Sequence, residues 1–313
     1  MVTNPTSKDI AWSRTTGNAL LPRNGEADGW LLQTPQCWGE PDCNDNSFVR
    51  FTSTLAEFPA NATTVVDLTT LYPFPDDKFR GALVDGLAQT FQKGNRPLIR
   101  VTAGVPPTYS MNGATPKQWM NDFVAEIAAK SGVDQSEIPM AIASVATSWG
   151  WSWNHSKIVA VDGQQATIGG HNFWTKDYLQ TTDPISDVTL HHQGPVVAKA
   201  HDFIDNQWGF ICANLGWTGR LNVSYAATAT VTSCPAAHPA LPKPSDPAPG
   251  NIPMLSVGKL CIGISNATVD GGPLPTDLVS AADARAIKCS SFNFTTDYTN
   301  RDAAYERSNP GEP

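Results

Sequence analysis

The stretch from His155 to Asn172 constrains this chain more than any other. Ser156 to Val161 is β-branched and apolar, Asp162-Gly163 is a strong two-residue turn, and Gln164 to Ile168 reads as a returning strand. Side chains alternate along a strand, so His155 and Lys157 share one face. Asp162 points to the other, roughly 23 Å along at about 3.3 Å per residue. This parity makes Asp162 a turn residue and not a catalytic one. A two-residue loop would set His155 opposite Gly170 and Trp153 opposite Asn172, bringing Asn172 beside the His155 and Lys157 face and leaving space at a glycine for a substrate. A loop one residue longer would undo that register.

The residue types carry a chemistry of their own. An imidazole at His155 can attack phosphorus, an ammonium at Lys157 and an amide at Asn172 can hold phosphate oxygens, and Gly169-Gly170 let backbone approach closely. Alternating Trp149, Trp151 and Trp153 lead into His155 on one strand face, as a lipid-accommodating wall would require or as core packing would. Tyr109, Met111 and Trp174 are further members of such a wall, though each alone reads as ordinary core. His191 and His192 read as a solvated strand end.

Strand and helix patterns alternate through the first two thirds. Thr63 to Leu71, Pro97 to Gly104 and Pro139 to Thr147 read as strands. Asp76 to Lys93 and Pro116 to Lys130 read as helices, opened by Asp76-Asp77 and Thr115-Pro116 and stopped at Gly94 and Gly132. Gly194 to Cys212 reads as another helix with Val197, Phe203, Ile204 and Trp208 inward. This order predicts an α/β fold, a mixed sheet with helices on both faces. Beyond it comes a proline-rich connection at Cys234 to Pro253 and an irregular, disulfide-stapled extension. We therefore divide the chain into residues 1–213, the α/β domain, and residues 214–313, packing on that same domain. No internal repeat is visible.

A net charge of −8 disfavours a nucleic-acid phosphodiesterase, because a polyanion needs a basic face. No apolar run is long enough to span a bilayer, so membrane contact would be peripheral. The amino terminus lacks an apolar signal core, which a processed or recombinant start would explain, as would a cytoplasmic protein. Six cysteines and five acceptor sequons, at Asn61, Asn154, Asn222, Asn266 and Asn293, speak for a secreted, extracellular glycoprotein. A glycan on Asn154 would crowd His155, so that site is expected bare. Spacing favours the local pairs Cys37–Cys43, Cys212–Cys234 and Cys261–Cys289 among fifteen connectivities.

As a whole, His155-x-Lys157-x4-Asp162 with Gly169-Gly170-x-Asn172 resembles the H-x-K-x4-D signature of the phospholipase D superfamily. Gly29 to Pro35, Cys37-Trp38-Gly39 with Cys43, Trp151 to Lys157, Lys176 to Leu179 and Pro184 to Val188 are similar to the amino-terminal half of the secreted bacterial-type enzymes. The resemblance implies a phosphohistidine at His155, phosphate binding by Lys157 and Asn172, and a carboxylate at Asp187 bonded to the histidine. Such a carboxylate would fix the imidazole tautomer and stabilise its charge. It implies a phospholipid substrate, lined here by Gly169, Gly170, Trp151 and Trp153, and neither metal nor organic cofactor.

The family carries two H-x-K motifs, and this chain has one. His171, His191, His192, His201 and His238 lack a lysine two residues on. The general acid for the leaving alcohol is thus expected from a second H-x-K half, on another chain or on the twin subunit of a homodimer. A non-catalytic lipid- or partner-binding module with the same fold is the remaining alternative.

Overall fold

The computed structural model describes residues 10–21, 29–34, 47–106, 115–147, 154–180, 182–217, 221–243 and 249–259. The chain divides into two units, residues 1–14 with 255–313 and residues 15–254. The second holds everything that positions the motif. In chain order its elements begin with the end of β1 (Ile10–Leu20), β2 (Leu31–Thr34), α1 (Ser47–Glu57), β3 (Val65–Leu71), α2 (Asp77–Gln92), β4 (Leu98–Val105), α3 (Pro116–Ser131) and β5 (Met140–Thr147). There follow β6 (Ile158–Val161), β7 (Gln165–Gly169), α4 (Thr175–Tyr178), β8 (Asp187–Gln193), α5 (Val196–Ala213), β9 (Gly216–Trp217) and β10 (Leu221–Ala227).

The central strands β3, β4 and β5 run parallel. All seven positions of β3 are buried, Asp67, Thr69 and Thr70 included, as a central strand is when helices cover both faces of a sheet. The remaining strands extend this centre antiparallel on either side, in the order β1-β8-β7-β6-β3-β4-β5-β10-β9, with β2 also on β8. The sheet is mixed and the fold is α/β, as the alternation predicted.

Helix ends follow local chemistry. In α3, Pro116 occupies the first turn and Gly132 closes the helix at φ 75°, its N–H bonding to the Ala128 carbonyl at 2.9 Å. One face of the sheet, with Val66, Leu68, Val159 and Val161, packs on α1, α2 and α3 through Phe51, Phe79, Leu83, Phe123 and Ile127. The other face, with Ala141, Ala143, Ile158 and Ala160, packs on α5 through Val197, Ile204 and Trp208.

Beyond residue 213, read from sequence as connection and extension, the chain first returns to the sheet: β10 pairs with β5 over seven residues. Cys212 and Cys234 form the expected disulfide. The other two pairings lie outside the described residues. Beneath α5, Arg100 grips Asp67 with two 2.7 Å bonds, pairs with Asp205 at 2.7 Å and reaches the Pro235 carbonyl, while the His201 ring meets Asp67 at 2.6 Å. Burial would raise the Asp67 carboxyl, but Arg100 and His201 together hold it below its ordinary range.

Candidate active site

The hairpin forms, one residue longer at its loop than the two-residue reading. Val161 stands opposite Gln165, leaving Asp162, Gly163 and Gln164 in the turn. Asp162 and Gly163 both take positive φ, 55° and 68°. These residue types tolerate that region best. The Asp162 carboxylate accepts from the amides of Thr63, Thr64 and Val65 at 2.6, 2.9 and 2.8 Å and from the Thr63 hydroxyl at 2.8 Å. It caps the start of β3, at the far end of the hairpin from His155.

The longer loop corrects the register around the glycines. Gly169 bonds to the Lys157 carbonyl and pairs with Thr189, whose backbone a side chain at 169 would strike. A side chain at 170 would overlap the Asp187 carboxylate. Gly170 therefore makes room for Asp187 and does not stand opposite His155 as expected.

At the open end, His155 is exposed and Lys157 is buried, 4% accessible. The Lys157 ammonium donates to the His155 carbonyl at 2.7 Å. Asp187, the first residue of β8, accepts from the Val188 amide at 2.8 Å and, at 3.5 Å, from the Tyr178 hydroxyl. That hydroxyl accepts from the Asn172 amide at 3.3 Å. The Asn172 side-chain carbonyl oxygen is buried with no partner among the described residues, an unusual state for a polar atom.

Partial loss of solvent around the ring, and then the Lys157 charge, lower the His155 imidazole from its ordinary value, with Asp187 acting in opposition. Burial brings Lys157 down to about 8, again against the pull of Asp187. Asp187 thus acts on both groups through space; among the described residues it makes no direct bond to the His155 ring. His155, Lys157 and Asp187 form one electrostatic group, to which Asn172 is joined by Tyr178. Trp151 and Trp153 lie outside the described residues, as do Trp149, Tyr109 and Met111. Trp174 is ordinary core, its indole bonded to the Pro73 carbonyl at 2.8 Å.

Sequence reasoning missed Tyr178, which no local pattern marks. It also misplaced His191 and His192, both buried in β8 and not at a solvated strand end. Burial brings His192 down to about 4. His171 is fully buried between the hydroxyls of Thr34 and Thr189, each at 2.8 Å, and burial brings it to about 3. A ring so enclosed and so reluctant to take a proton is poorly suited to act as an acid at neutral pH.

By sequence the chain is 35% identical over 318 residues to phospholipase D of Streptomyces antibioticus, an alignment covering 99% of this chain and 54% of that protein. Over almost its whole length the chain is thus similar in sequence to a phospholipase D. It spans about half the length of that relative. No protein-family model matches it. Among solved structures, the phospholipase D family member Nuc from Salmonella typhimurium overlaps with a TM-score of 0.33 at 15% identity, over 60% of this chain and 88% of that one. NucT from Helicobacter pylori gives 0.32 at 9% identity, over 60% and 91%. Such overlaps are partial, and the resemblance rests on the sequence.

Proposed function

We propose that this chain is one half of a phospholipase D-type phosphodiesterase acting on glycerophospholipid head groups through a phosphohistidine. The observation that carries this is the cluster at the open end of the hairpin, where a depressed imidazole and a buried ammonium lie around Asp187 and the Asn172 side-chain N–H group, a donor, is joined to them through the Tyr178 hydroxyl. An imidazole held below its usual pKa is neutral at physiological pH, and the neutral ring is the nucleophile. A ring nitrogen of His155 bonds to phosphorus as the bond to the head-group alcohol breaks. Lys157 and the Asn172 side-chain N–H donate to the phosphoryl oxygens, where charge builds. Asp187 stabilises the imidazole as it becomes positive. Water or a second alcohol then attacks phosphorus and frees His155.

The alkoxide needs a proton, and within these 313 residues no second H-x-K provides it. The acid comes from a second H-x-K half, on another polypeptide or on a second copy of this one. The Cys212–Cys234 disulfide favours an oxidising, extracellular setting. Among the described residues no helix is long and apolar enough to cross a membrane.

The test is turnover of phosphatidylcholine by the monomer, by concentrated samples of known mass, and by a mixture with a chain bearing a second H-x-K. We expect negligible turnover by the monomer, restoration in the assembly, and loss of that restored activity in His155→Asn with the fold intact, because an amide cannot carry the phosphoryl group. Full activity in a dilute, verified monomer would overturn the two-half mechanism. Specific phospholipid binding without turnover in any assembly would leave the binding module.

A further inference from the structure

The helix α5 packs on the sheet through an apolar stripe that includes Val197, Ala200, Ile204, Trp208 and Ile211. Gln207 interrupts that stripe and is itself buried, 6% accessible. Its amide donates to the Asn154 side-chain carbonyl at 3.1 Å and to the Ser156 hydroxyl at 3.2 Å. These are the two residues that flank His155. The Asn154 oxygen also accepts from the Ser156 amide at 3.1 Å and from the Ser156 hydroxyl at 2.6 Å. Ser156 has thereby spent its one proton, so the Thr69 hydroxyl of β3, 2.8 Å away, is the donor in that pair. From β4, Gly104 lies so close that any side chain there would overlap the Asn154 backbone carbonyl.

We infer that Gln207 is a positioning residue for His155: through Asn154 and Ser156, with Thr69 and Gly104 closing the other sides, it fixes the backbone that aims the imidazole. The inference rests on the reading of His155 as the nucleophile. Stability does not explain the network. Among the described residues it leaves the Asn154 amide nitrogen and the Gln207 carbonyl oxygen buried without partners, and a half-satisfied buried polar network stabilises a fold less than apolar packing does. What it supplies is geometry, since a misplacement of about 1 Å at a reacting atom costs on the order of 100-fold in rate.

The experiment uses the full chain with isotope-labelled histidine and the variant Gln207→Met, which keeps length and removes the amide. Two readouts are taken, the NMR titration of the His155 ring and the rate at which phosphoramidate phosphorylates it, the P–N bond breaking and ammonia leaving as the N–P bond to His155 forms. Lys157 and Asp187 are unchanged, so a moved titration reports geometry. We expect Gln207→Met to melt near the parent temperature, to titrate closer to a free histidine, and to label about tenfold more slowly. Thr69→Val, which cuts the network from β3, should do the same in smaller measure and serves if Gln207→Met does not fold. An unmoved titration with an unchanged labelling rate overturns the inference, even where stability falls. If the parent itself takes no phosphoryl group yet its titration moves with Gln207→Met, the positioning stands and the nucleophile assignment fails.

Discussion

The two ends of the β6–β7 hairpin carry the same motif and have opposite physical states. At the turn, the Asp162 carboxylate is saturated by three backbone amides and a hydroxyl. At the open end, among the described residues, Lys157 is buried with one carbonyl for its ammonium, and the Asn172 side-chain oxygen is buried without a partner. Saturation marks a group whose work is to hold the fold, and unsatisfied burial marks one held ready for a ligand.

The sharpest way to break this contrast is a pair of substitutions. Lys157→Met should lower turnover of the complete assembly by about 10²–10³-fold, the usual cost of removing a group that stabilises transition-state charge. It should leave the melting temperature unchanged or raised, because a buried charge has been removed. Asp162→Ala should do the reverse. Leaving buried donors unsatisfied costs about 1–3 kcal/mol each, so stability should fall clearly in denaturant titration while activity per folded molecule stays near the parent. Equal effects at both ends in either measurement would erase the distinction.

A pH profile sharpens it further. Lys157 titrates near 8, so turnover should decline as pH rises through that value, and Lys157→Arg should move the alkaline limb upward while losing activity to its different geometry. Between about 8 and the ordinary lysine value of 10.5 the unfolded chain holds the proton and the folded chain does not. Stability should therefore rise with pH where activity falls.

The acid limb of the stability curve belongs to the buried histidines. His171 and His192 have folded values of about 3 and 4, depressed from 6.5. Below 6.5 the unfolded state binds protons that the folded state refuses, so their contribution is complete above 6.5 and is lost as pH falls toward 3. His192→Gln should flatten that part of the stability curve in pH-dependent melting.

Much of this was legible in the residues. The strands β3 to β5 announce themselves by short stretches rich in β-branched and apolar residues, and α3 is bracketed by Thr115-Pro116 and Gly132. The hairpin was legible as well, but its loop length was not. Asp162 and Gly163 suit left-handed backbone in loops of either length, and the extra residue moves Gly170 from the histidine to Asp187. Tyr178 was beyond reach because a four-residue helix folds it back to Asn172, a tertiary event with no local pattern. The Gln207 break in an apolar stripe was visible, although only the packing shows that it points at Asn154 and Ser156. Histidine identity says nothing of burial, hence the misreading of His191 and His192.

The Cys212–Cys234 bond joins the end of α5 to the chain just past β10, closing a loop that spans 22 positions and is worth roughly 3 kcal/mol in the entropy of the unfolded chain. That loop contains β10, which lies along β5 near the margin of the sheet. A strand tethered at both ends has less reach toward a neighbouring molecule, so the disulfide disfavours strand exchange. Reduction would remove that tether, and two copies could then donate β10 to each other in the register each had used alone.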